Sequence, residues 1–306
     1  MVHVISIDLG GSYLKAALVD ESARIIRRLT LPTSQEGRSG IIQQLAAAVS
    51  ELKYGYDVGA VGVGTPGFVD SRAGKVLRAT NLPGWTGTNV KAELSRLIDL
   101  PIVVENDANL AALGEAWVGA GKELDNFVML TLGTGVGGAI YSRDTGVWRG
   151  ATYRGGELGH SILYPGGEPC ACGQRGCVEQ YLSGQALERR YSDLTGSKAN
   201  CEAIFQAALA GKELAESLVQ QFSHDFAVLL ASLKNMLDPE AFVIGGGLVH
   251  LREAWWFHVK EAFYRECMQS EGTRVLPAAT GNNAGLLGAA ALAWDLVRGQ
   301  LHESYC

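Results

Sequence analysis

Residues 2–19, V-H-V-I-S-I-D-L-G-G-S-Y-L-K-A-A-L-V, contain two apolar strands joined by a glycine turn. The turn is too short to hold a crossover helix, so the two strands should be antiparallel neighbours. The same order of strand, glycine turn and strand returns at 127–141, around G-T-G-V-G-G at 133–138. This repetition predicts two related α/β halves that face each other across a cleft.

Apolar periodicity outside these hairpins predicts helices alternating with short strands. Residues 65–70, T-P-G-F-V-D, have the composition of a turn, and G-A-G-K-E-L-D-N at 119–126 has that of a linker. Helices are expected at 41–52, 90–98, from near 107, 184–190, 202–210, 213–235, 252–268 and 286–297, and further strands at 24–31, 59–64, 101–105, 241–244 and 274–277.

Composition limits the function classes. The chain has 306 residues, of which 47% are hydrophobic and 19% charged, which is typical of a globular protein with a sizeable core. A net charge of −6 does not favour a nucleic-acid partner. The first residues lack the pattern of a signal peptide, and no apolar run reaches membrane-spanning length. The scattered Cys201, Cys267 and Cys306 indicate reduced thiols and a cytoplasmic location.

Glycine turns mark a candidate nucleotide site. Consecutive backbone N–H groups after Asp8 could bind phosphate, the Asp8 carboxylate could hold Mg²⁺ directly or through water, and Lys15 could approach the phosphate. An ordinary hairpin would explain D-L-G-G-S alone. A third cluster, Gly245–Gly247, follows a buried strand. Three such turns together indicate a nucleotide whose phosphates lie between the two hairpins and whose base lies near Gly246 and Gly247.

Residues 157–179, E-L-G-H-S-I-L-Y-P-G-G-E-P-C-A-C-G-Q-R-G-C-V-E, predict a zinc site. One imidazole and three thiols make a complete tetrahedral set, and because four protein ligands leave no open position, the metal should be structural. The predicted ligands are His160, Cys170, Cys172 and Cys177. A disordered glycine-rich loop with incidental cysteines is the alternative. The flanking carboxylates, Glu157 and Glu179, are not needed to complete the zinc site.

The segment E-N-D-A-N at 105–109 joins a strand end to a helix start. Asp107 could be the helix N-cap or a general base for transfer of a phosphoryl group to an alcohol, with Asn106 orienting the same substrate. Polar side chains from separate loops could bind the hydroxyls of a polyol. These are Asn81, Asn106, Asp107, Glu157, His160 and Glu179. Alternatively, the glutamates support the metal loop.

Collinear motifs over nearly the whole chain resemble the ROK family of sugar kinases and sugar-responsive repressors, within the actin-like, hexokinase-like ATPases. They are D-L-G-G-S-Y-L-K, G-V-G-T-P-G-F-V-D, N-L-P-G-W, E-N-D-A-N, T-L-G-T-G-V-G-G, G-G-E-L-G-H, C-A-C-G-Q-R-G-C-V-E and F-V-I-G-G-G-L. The spacing H-x9-C-x-C-x4-C followed by Glu is the most specific of them.

The resemblance implies a two-lobed, ribonuclease H-like α/β fold with an active-site cleft between the lobes. The expected bounds are 1–119 plus the helix at 286–306 for a smaller lobe, and 120–285 for a larger lobe with the zinc loop at 157–179. It implies Asp107 as catalytic base, and sugar contacts from Gly67, Asn81, Asn106, Asp107, Glu157, His160 and Glu179. It implies a nucleotide site at Asp8, Gly10, Gly11, Ser12, Lys15, Thr134, Gly135, Gly246 and Gly247.

We therefore expect an ATP- and Mg²⁺-dependent hexose kinase of carbohydrate metabolism with a structural Zn²⁺, acting on the terminal 6-hydroxyl, with glucose preferred. The resemblance suggests a homodimer or homotetramer. Because the first strand is expected to begin at Val2, we expect no helix-turn-helix of the repressor branch unless the chain is truncated, and the kinase branch is favoured. The alternatives are a kinase for N-acetylglucosamine or N-acetylmannosamine, and a catalytically weak sugar sensor. A protein-modifying or cytoskeletal ATPase would not explain the polar sugar set.

Overall fold

The computed structural model describes residues 1–79, 82–267, 269–302 and 305. The chain packs as two units. The first contains 1–123, 140–156 and 279–306, and the second contains 124–139 and 157–278. The expected lobe bounds place 140–156 in the larger lobe, whereas this segment packs in the first unit. There, Arg149 of the segment forms a buried ion pair with Glu105 at 2.7 Å.

The sheet of the first unit carries the first glycine turn. The strands of this unit are β1 (Val2–Leu9), β2 (Tyr13–Val19), β3 (Ile25–Pro32), β4 (Asp57–Thr65), β5 (Phe68–Asp70), β6 (Lys75–Arg78) and β7 (Ile102–Asn106). The sheet order is β3-β2-β1-β4-β7, and β1, β4 and β7 are parallel. The first hairpin is antiparallel, with Asp8 opposite Lys15, which confirms the prediction. Asp8 and Asn106 thus lie at one edge, the carboxyl ends of parallel strands.

Close packing between helices and sheet fixes this edge. The helices of the first unit are α1 (Gly37–Lys53), α2 (Val90–Leu94), α3 (Asp107–Val118) and α9 (Ala284–Arg298). A Cβ on Gly62 of β4 would collide with the carbonyl of Ala289, and a Cβ on Gly288 with the carbonyl of Leu110. Glycine is therefore required where α9 crosses β4 and α3, and this contact holds the helix that begins at Asp107.

The second unit is built on the second glycine hairpin. Its strands are β8 (Asn126–Leu132), β9 (Val136–Ser142), β11 (Ala241–Gly245) and β12 (Arg274–Pro277). The end of β9 belongs to the first unit and pairs with β10 (Gly146–Val147). The sheet order is β10-β9-β8-β11-β12, and β11 is parallel to both β8 and β12. Its helices are α4 (Glu179–Leu182), α5 (Gly184–Thr195), α6 (Cys201–Leu209), α7 (Glu213–Leu237) and α8 (Trp256–Glu266).

An aromatic core supports this second sheet. Phe222 of α7 packs edge-on against Phe205 of α6 and against Trp255, with ring centroids 6.1 and 5.7 Å apart. All three rings are buried. The alternation of long helices with buried strands confirms the predicted α/β class.

Two local predictions are wrong. Residues 65–70 do not form only a turn, since Phe68–Asp70 pairs with Lys75–Arg78 as a short hairpin. The helix expected at 252–268 begins at Trp256, because 247–254 forms 3-10 turns with a kink at Leu251, and Met268 lies outside the described residues. Across the described residues, no helix combines the length and apolar character needed to cross a membrane.

Candidate active site and metal centre

Asp107 is the first residue of α3, and Asn106 is the N-cap. The Asn106 side-chain oxygen accepts hydrogen bonds from the backbone N–H groups of Ala108 and Asn109, at 2.9 and 3.1 Å. The alternative that Asp107 caps the helix is therefore wrong. The Asp107 carboxylate sits in the first turn, where the N-terminal end of the helix favours negative charge.

Asn106 also joins Asp107 to the loop at Gly67. Its Nδ2 donates to the Asp107 Oδ1 and to the carbonyl of Gly67, both at 3.0 Å. Gly67 has φ +99°, and a Cβ there would collide with the carbonyl of Arg78. Glycine is therefore required at 67, and the structure brings together three of the predicted sugar-contacting positions, all in the first unit.

The surroundings of Asp107 suit a proton acceptor. Desolvation by the surrounding protein, followed by the negative charge of Asp8, raises the pKa of Asp107 to about 6. Hydrogen bonds from Ala108 and Asn106 oppose this shift. A carboxylate with this pKa is mostly ionised at pH 7 yet binds a proton more readily than an ordinary aspartate. The Asp107 side chain is exposed, so it can be reached by a substrate.

The first glycine turn holds its backbone by local hydrogen bonds. The Gly10 N–H donates to the carbonyl of Tyr13 at 2.9 Å, and the Thr33 hydroxyl donates to the carbonyl of Gly10 at 2.7 Å. Gly11 and Ser12 at its tip are exposed. Burial raises the pKa of Asp8, and Lys15 opposes that shift. The turn thus places a carboxylate, an amine and an exposed backbone loop together, and that these groups bind phosphate stays a prediction.

Two further glycine turns meet in the second unit. Gly245 on β11 lies opposite Thr131 on β8, so both strands end at the same edge of the sheet. Gly246 has φ +87°, and a Cβ there would collide with the backbone of Leu132. The Gly246–Gly247 turn therefore packs directly against the strand that leads into the Gly133–Gly138 hairpin, at the edge where α/β sheets bind ligands.

Glu179 contacts this second hairpin. Its Oε2 accepts a hydrogen bond from the Val136 N–H at 3.0 Å, and a Cβ on Gly135 would collide with the same oxygen. The sequence predicts a sugar contact for Glu179 but does not predict its contact with the hairpin.

The four predicted zinc ligands converge. One ligand atom from each of His160, Cys170, Cys172 and Cys177 lies within 4.8 Å of all the others. The sulfurs of Cys172 and Cys177 are 3.6 Å apart, and the His160 Nδ1 is 3.6 Å from the Cys170 sulfur. Zn–S bonds of about 2.3 Å in a tetrahedron place two sulfurs about 3.8 Å apart, whereas a disulfide needs about 2.05 Å. The donor set fits zinc.

Glycine turns fold the metal loop. Gly173 and Gly176 have φ values of +97° and +80°, and a Cβ on Gly176 would collide with the carbonyl of Tyr164. The Val178 N–H donates to the carbonyl of Ser161 at 2.9 Å, which places the chain after His160 beside the chain before Glu179. Since the His160 Nδ1 faces the cysteines, its Nε2 is the nitrogen left for a ligand.

The predicted sugar-contacting positions therefore form two described groups. Gly67, Asn106 and Asp107 belong to the first unit, and Glu157, His160 and Glu179 to the second. Asn81 lies outside the described residues. That these groups bind one sugar stays a prediction.

Three buried residues behind Asp107 carry no prediction from the sequence. Glu105 accepts hydrogen bonds from Arg149 and Tyr305, at 2.7 and 2.8 Å. An acidic residue at the end of the apolar strand I-V-V-E-N is a signal that could have revealed Glu105. Nothing in the local sequence marks Arg149 or Tyr305 as its partners, because they lie 44 and 200 residues away.

Comparison with known proteins agrees with this architecture. A glucokinase from Halalkalibacterium halodurans is 33% identical over 307 residues, covering 93% of this chain and 92% of that protein. An N-acetyl-D-glucosamine kinase from Yersinia pseudotuberculosis is 33% identical over 296 residues, covering 93% and 97%.

Among solved structures, a ROK family glucokinase from Streptomyces griseus in complex with glucose and AMPPNP superposes with a TM-score of 0.82 at 35% identity. The match covers 96% of this chain and 99% of that chain. ROK sugar kinases of this kind have the actin-like ATPase fold, which confirms the predicted fold class. Residues 4–295 match the ROK family, and the chain belongs to that family.

Proposed function

We propose that the protein is an ATP-dependent hexose kinase that phosphorylates the 6-hydroxyl of glucose. The observation that carries the proposal is Asp107, an accessible carboxylate at the start of α3 whose pKa is raised to about 6. Phosphoryl transfer to an alcohol needs such a carboxylate within hydrogen-bonding reach of the attacking hydroxyl. The similarity to glucokinases over more than nine-tenths of the chain supports this reaction.

Asp107 accepts the proton of the hexose 6-hydroxyl as that oxygen bonds to the γ-phosphorus of ATP. The bond between the γ-phosphorus and the bridging oxygen breaks, and ADP leaves. Asn106 holds the Asp107 Oδ1 by its amide N–H, so Oδ2 is the oxygen that we expect to face the hydroxyl. A fixed carboxylate lowers the cost of orienting the reacting atoms.

The nucleotide phosphates would bind at the glycine turns. The turn at Gly10, with its exposed tip at Gly11 and Ser12, would bind phosphate together with Lys15. Thr134 and Gly135 would do so in the second hairpin, with the base near Gly246 and Gly247. The Asp8 carboxylate suits the hard oxygen ligation that Mg²⁺ prefers, directly or through water. When bound, the ion offsets negative charge on the phosphates.

The sugar hydroxyls would be bound by the two groups of polar residues. Glu157, His160 through Nε2, and Glu179 would bind the hydroxyls near the anomeric carbon, and Asn81 and Asn106 the others. A structural Zn²⁺ held by His160 and the three cysteines would fix the orientation of the imidazole ring. Metal-bound histidines commonly use their second nitrogen for a further hydrogen bond, which supports this assignment.

A coupled ADP-release assay tests the proposal. We expect sugar-dependent ADP release with kcat/KM highest for glucose among glucose, mannose, N-acetylglucosamine and N-acetylmannosamine. A higher kcat/KM for an N-acetylated sugar would favour the second candidate, which the 33% identity to an N-acetyl-D-glucosamine kinase supports. Sugar binding without ADP release would favour a sensor and overturn the kinase proposal.

We also propose a cytoplasmic homodimer or homotetramer. The free thiols of Cys201 and Cys267 support a reducing compartment. Light scattering during size-exclusion chromatography would test the oligomer, and a monomer at micromolar concentration would contradict it.

A further inference from the structure

Behind Asp107, one carboxylate receives four hydrogen bonds. The Glu105 Oε1 accepts from the Asn106 N–H at 2.8 Å and from the Asn109 Nδ2 at 3.0 Å. Its Oε2 accepts from the Arg149 Nε at 2.7 Å and from the Tyr305 hydroxyl at 2.8 Å. Glu105 is only 1% exposed, so its charge is held by these donors rather than by water.

The bonds to Oε1 act on the residue that orients Asp107. Glu105 fixes the backbone of Asn106, and the Asn106 side chain caps α3 and donates to the Asp107 Oδ1. Each step is a hydrogen bond between neighbouring groups. Rotation of the Glu105 carboxylate would therefore move Asn106, and with it the oxygen of Asp107.

The bonds to Oε2 come from two distant parts of the sequence. Arg149 follows β10, and its Nη1 donates to the carbonyl of Val147 at 3.0 Å. Its guanidinium lies 4.1 Å from the centre of the Tyr305 ring. Tyr305 is only 7% exposed and packs in a cluster with Val103 and Leu110. The ring thus covers the ion pair while the hydroxyl completes the donors to Glu105.

We propose that Tyr305 is a positioning residue for Asp107, acting with Arg149 through the Glu105 carboxylate. This inference rests on the proposed kinase function, in which Asp107 is the base. A buried ion pair adds little net stability when compared with apolar packing. If one partner is removed, however, the charge of the other is left buried and uncompensated. The alternative is that Tyr305 only fills space between α3 and α9.

Tyr305→Phe separates the two roles, because it removes the hydroxyl and keeps the ring over Arg149. We expect kcat to fall by about 10-fold, less than the roughly 10²-fold cost of a 1 Å misplacement, with KM for ATP unchanged. The matched control is Tyr264→Phe, which also removes one hydroxyl hydrogen bond, in this case to the backbone carbonyl of Thr273 at 3.1 Å. We expect its kcat to stay at the wild-type value.

Hydrogen exchange gives a readout that does not depend on catalysis. The Ala108 and Asn109 amides donate to the Asn106 side chain, so their protection should fall in Tyr305→Phe and not in Tyr264→Phe. If the wild type phosphorylates no sugar, the kinase proposal fails whatever the exchange data show. If the Ala108 and Asn109 amides keep their protection in Tyr305→Phe, the positioning role of Tyr305 is overturned. An unchanged kcat in an active enzyme would overturn it as well.

A double-mutant cycle tests the route through Glu105. If Tyr305 acts through this carboxylate, adding Tyr305→Phe to Glu105→Gln should lower kcat by less than it does in the wild type. Equal effects in both backgrounds would contradict the route. Should Glu105→Gln fail to fold, the Tyr305→Phe measurements decide alone.

Discussion

The Glu179 carboxylate accepts a hydrogen bond from the backbone N–H of Val136, with 3.0 Å between Oε2 and N. Glu179 follows Cys177, the last of the four proposed zinc ligands, by two residues, and Val136 lies in the glycine hairpin of the proposed nucleotide site. One side chain therefore joins the metal loop to that hairpin. If the Oε1 binds a sugar hydroxyl, Glu179 connects the metal, the sugar and the nucleotide.

Two substitutions at Glu179 should separate these contacts. Glu179→Gln retains a side-chain oxygen that can accept from the Val136 N–H, but it loses the negative charge that is proposed to bind a sugar hydroxyl. We expect KM for glucose to rise by about 10-fold with KM for ATP unchanged, since a hydrogen bond to a charged group contributes about 1.5–3 kcal/mol. Glu179→Ala removes both contacts and should raise both KM values. Equal effects of the two variants on KM for ATP would show that the Val136 contact is not needed.

Cys172→Ser should remove the zinc. Loss of one thiolate weakens a closed tetrahedral site, and the Cys172 sulfur lies 3.6 Å from that of Cys177. Metal analysis should show less than one zinc per chain, and KM for glucose should rise because His160 and Glu179 lose their fixed positions. Cys201→Ser is the control, since this thiol lies outside the ligand cluster. Lost metal with unchanged sugar affinity would show that the loop does not support sugar binding.

The sequence predicts local elements well because their causes are local. The glycine turn after Asp8 and the four predicted zinc ligands are each encoded within a short segment. The structure contains the turn and brings the four side chains together. The convergence on Glu105 has a different origin. Arg149 and Tyr305 reach Oε2 only after β10 and the C-terminal segment have packed onto the sheet, and no spacing in the sequence encodes that contact.

The same limit applies to Asp107 and Glu179. Local sequence allows Asp107 to be either a cap or a base, and only the hydrogen bonds of Asn106 decide which residue caps α3. The contact between Glu179 and Val136 joins residues 43 positions apart. The residue types of the site are thus predictable from motifs, whereas the hydrogen bonds that orient them depend on tertiary packing.

Asp107→Asn should abolish most of the phosphorylation while the fold survives. The asparagine can still accept from the Ala108 N–H, which the Asp107 Oδ1 accepts at 2.9 Å, so the start of α3 keeps its bond. Loss of a general base costs roughly 10²–10⁴-fold in rate. Asp295→Asn, another carboxyl whose pKa burial raises to about 6, should keep wild-type kcat. Near-normal turnover in Asp107→Asn, with an unchanged Tm, would rule out Asp107 as the base.

The acid limb of the pH profile should report the pKa of Asp107. Desolvation by the surrounding protein and the charge of Asp8 raise the pKa of Asp107 to about 6, so the base becomes protonated and kcat/KM for glucose should fall as the pH drops below about 6. With ATP and Mg²⁺ kept well below saturation, the profile of kcat/KM for glucose reports the enzyme before the nucleotide binds, so no nucleotide-bound ion offsets the charge of Asp8. Removing that charge in Asp8→Asn lowers the pKa of Asp107, so the limb should move to lower pH even though the rate also falls.

Asp295→Asn again serves as the control, because its own pKa lies near the same value. Its acid limb should coincide with that of the wild type if Asp107 is the titrating group. A limb that disappears in Asp295→Asn, or one that moves to higher pH in Asp8→Asn, would contradict the assignment. Titration of the Asp107 carboxyl by carbon NMR in the protein without ATP and Mg²⁺ would then show which statement fails. A pKa far from 6 would contradict the expected value, and a pKa near 6 would contradict the role of Asp107 as the base.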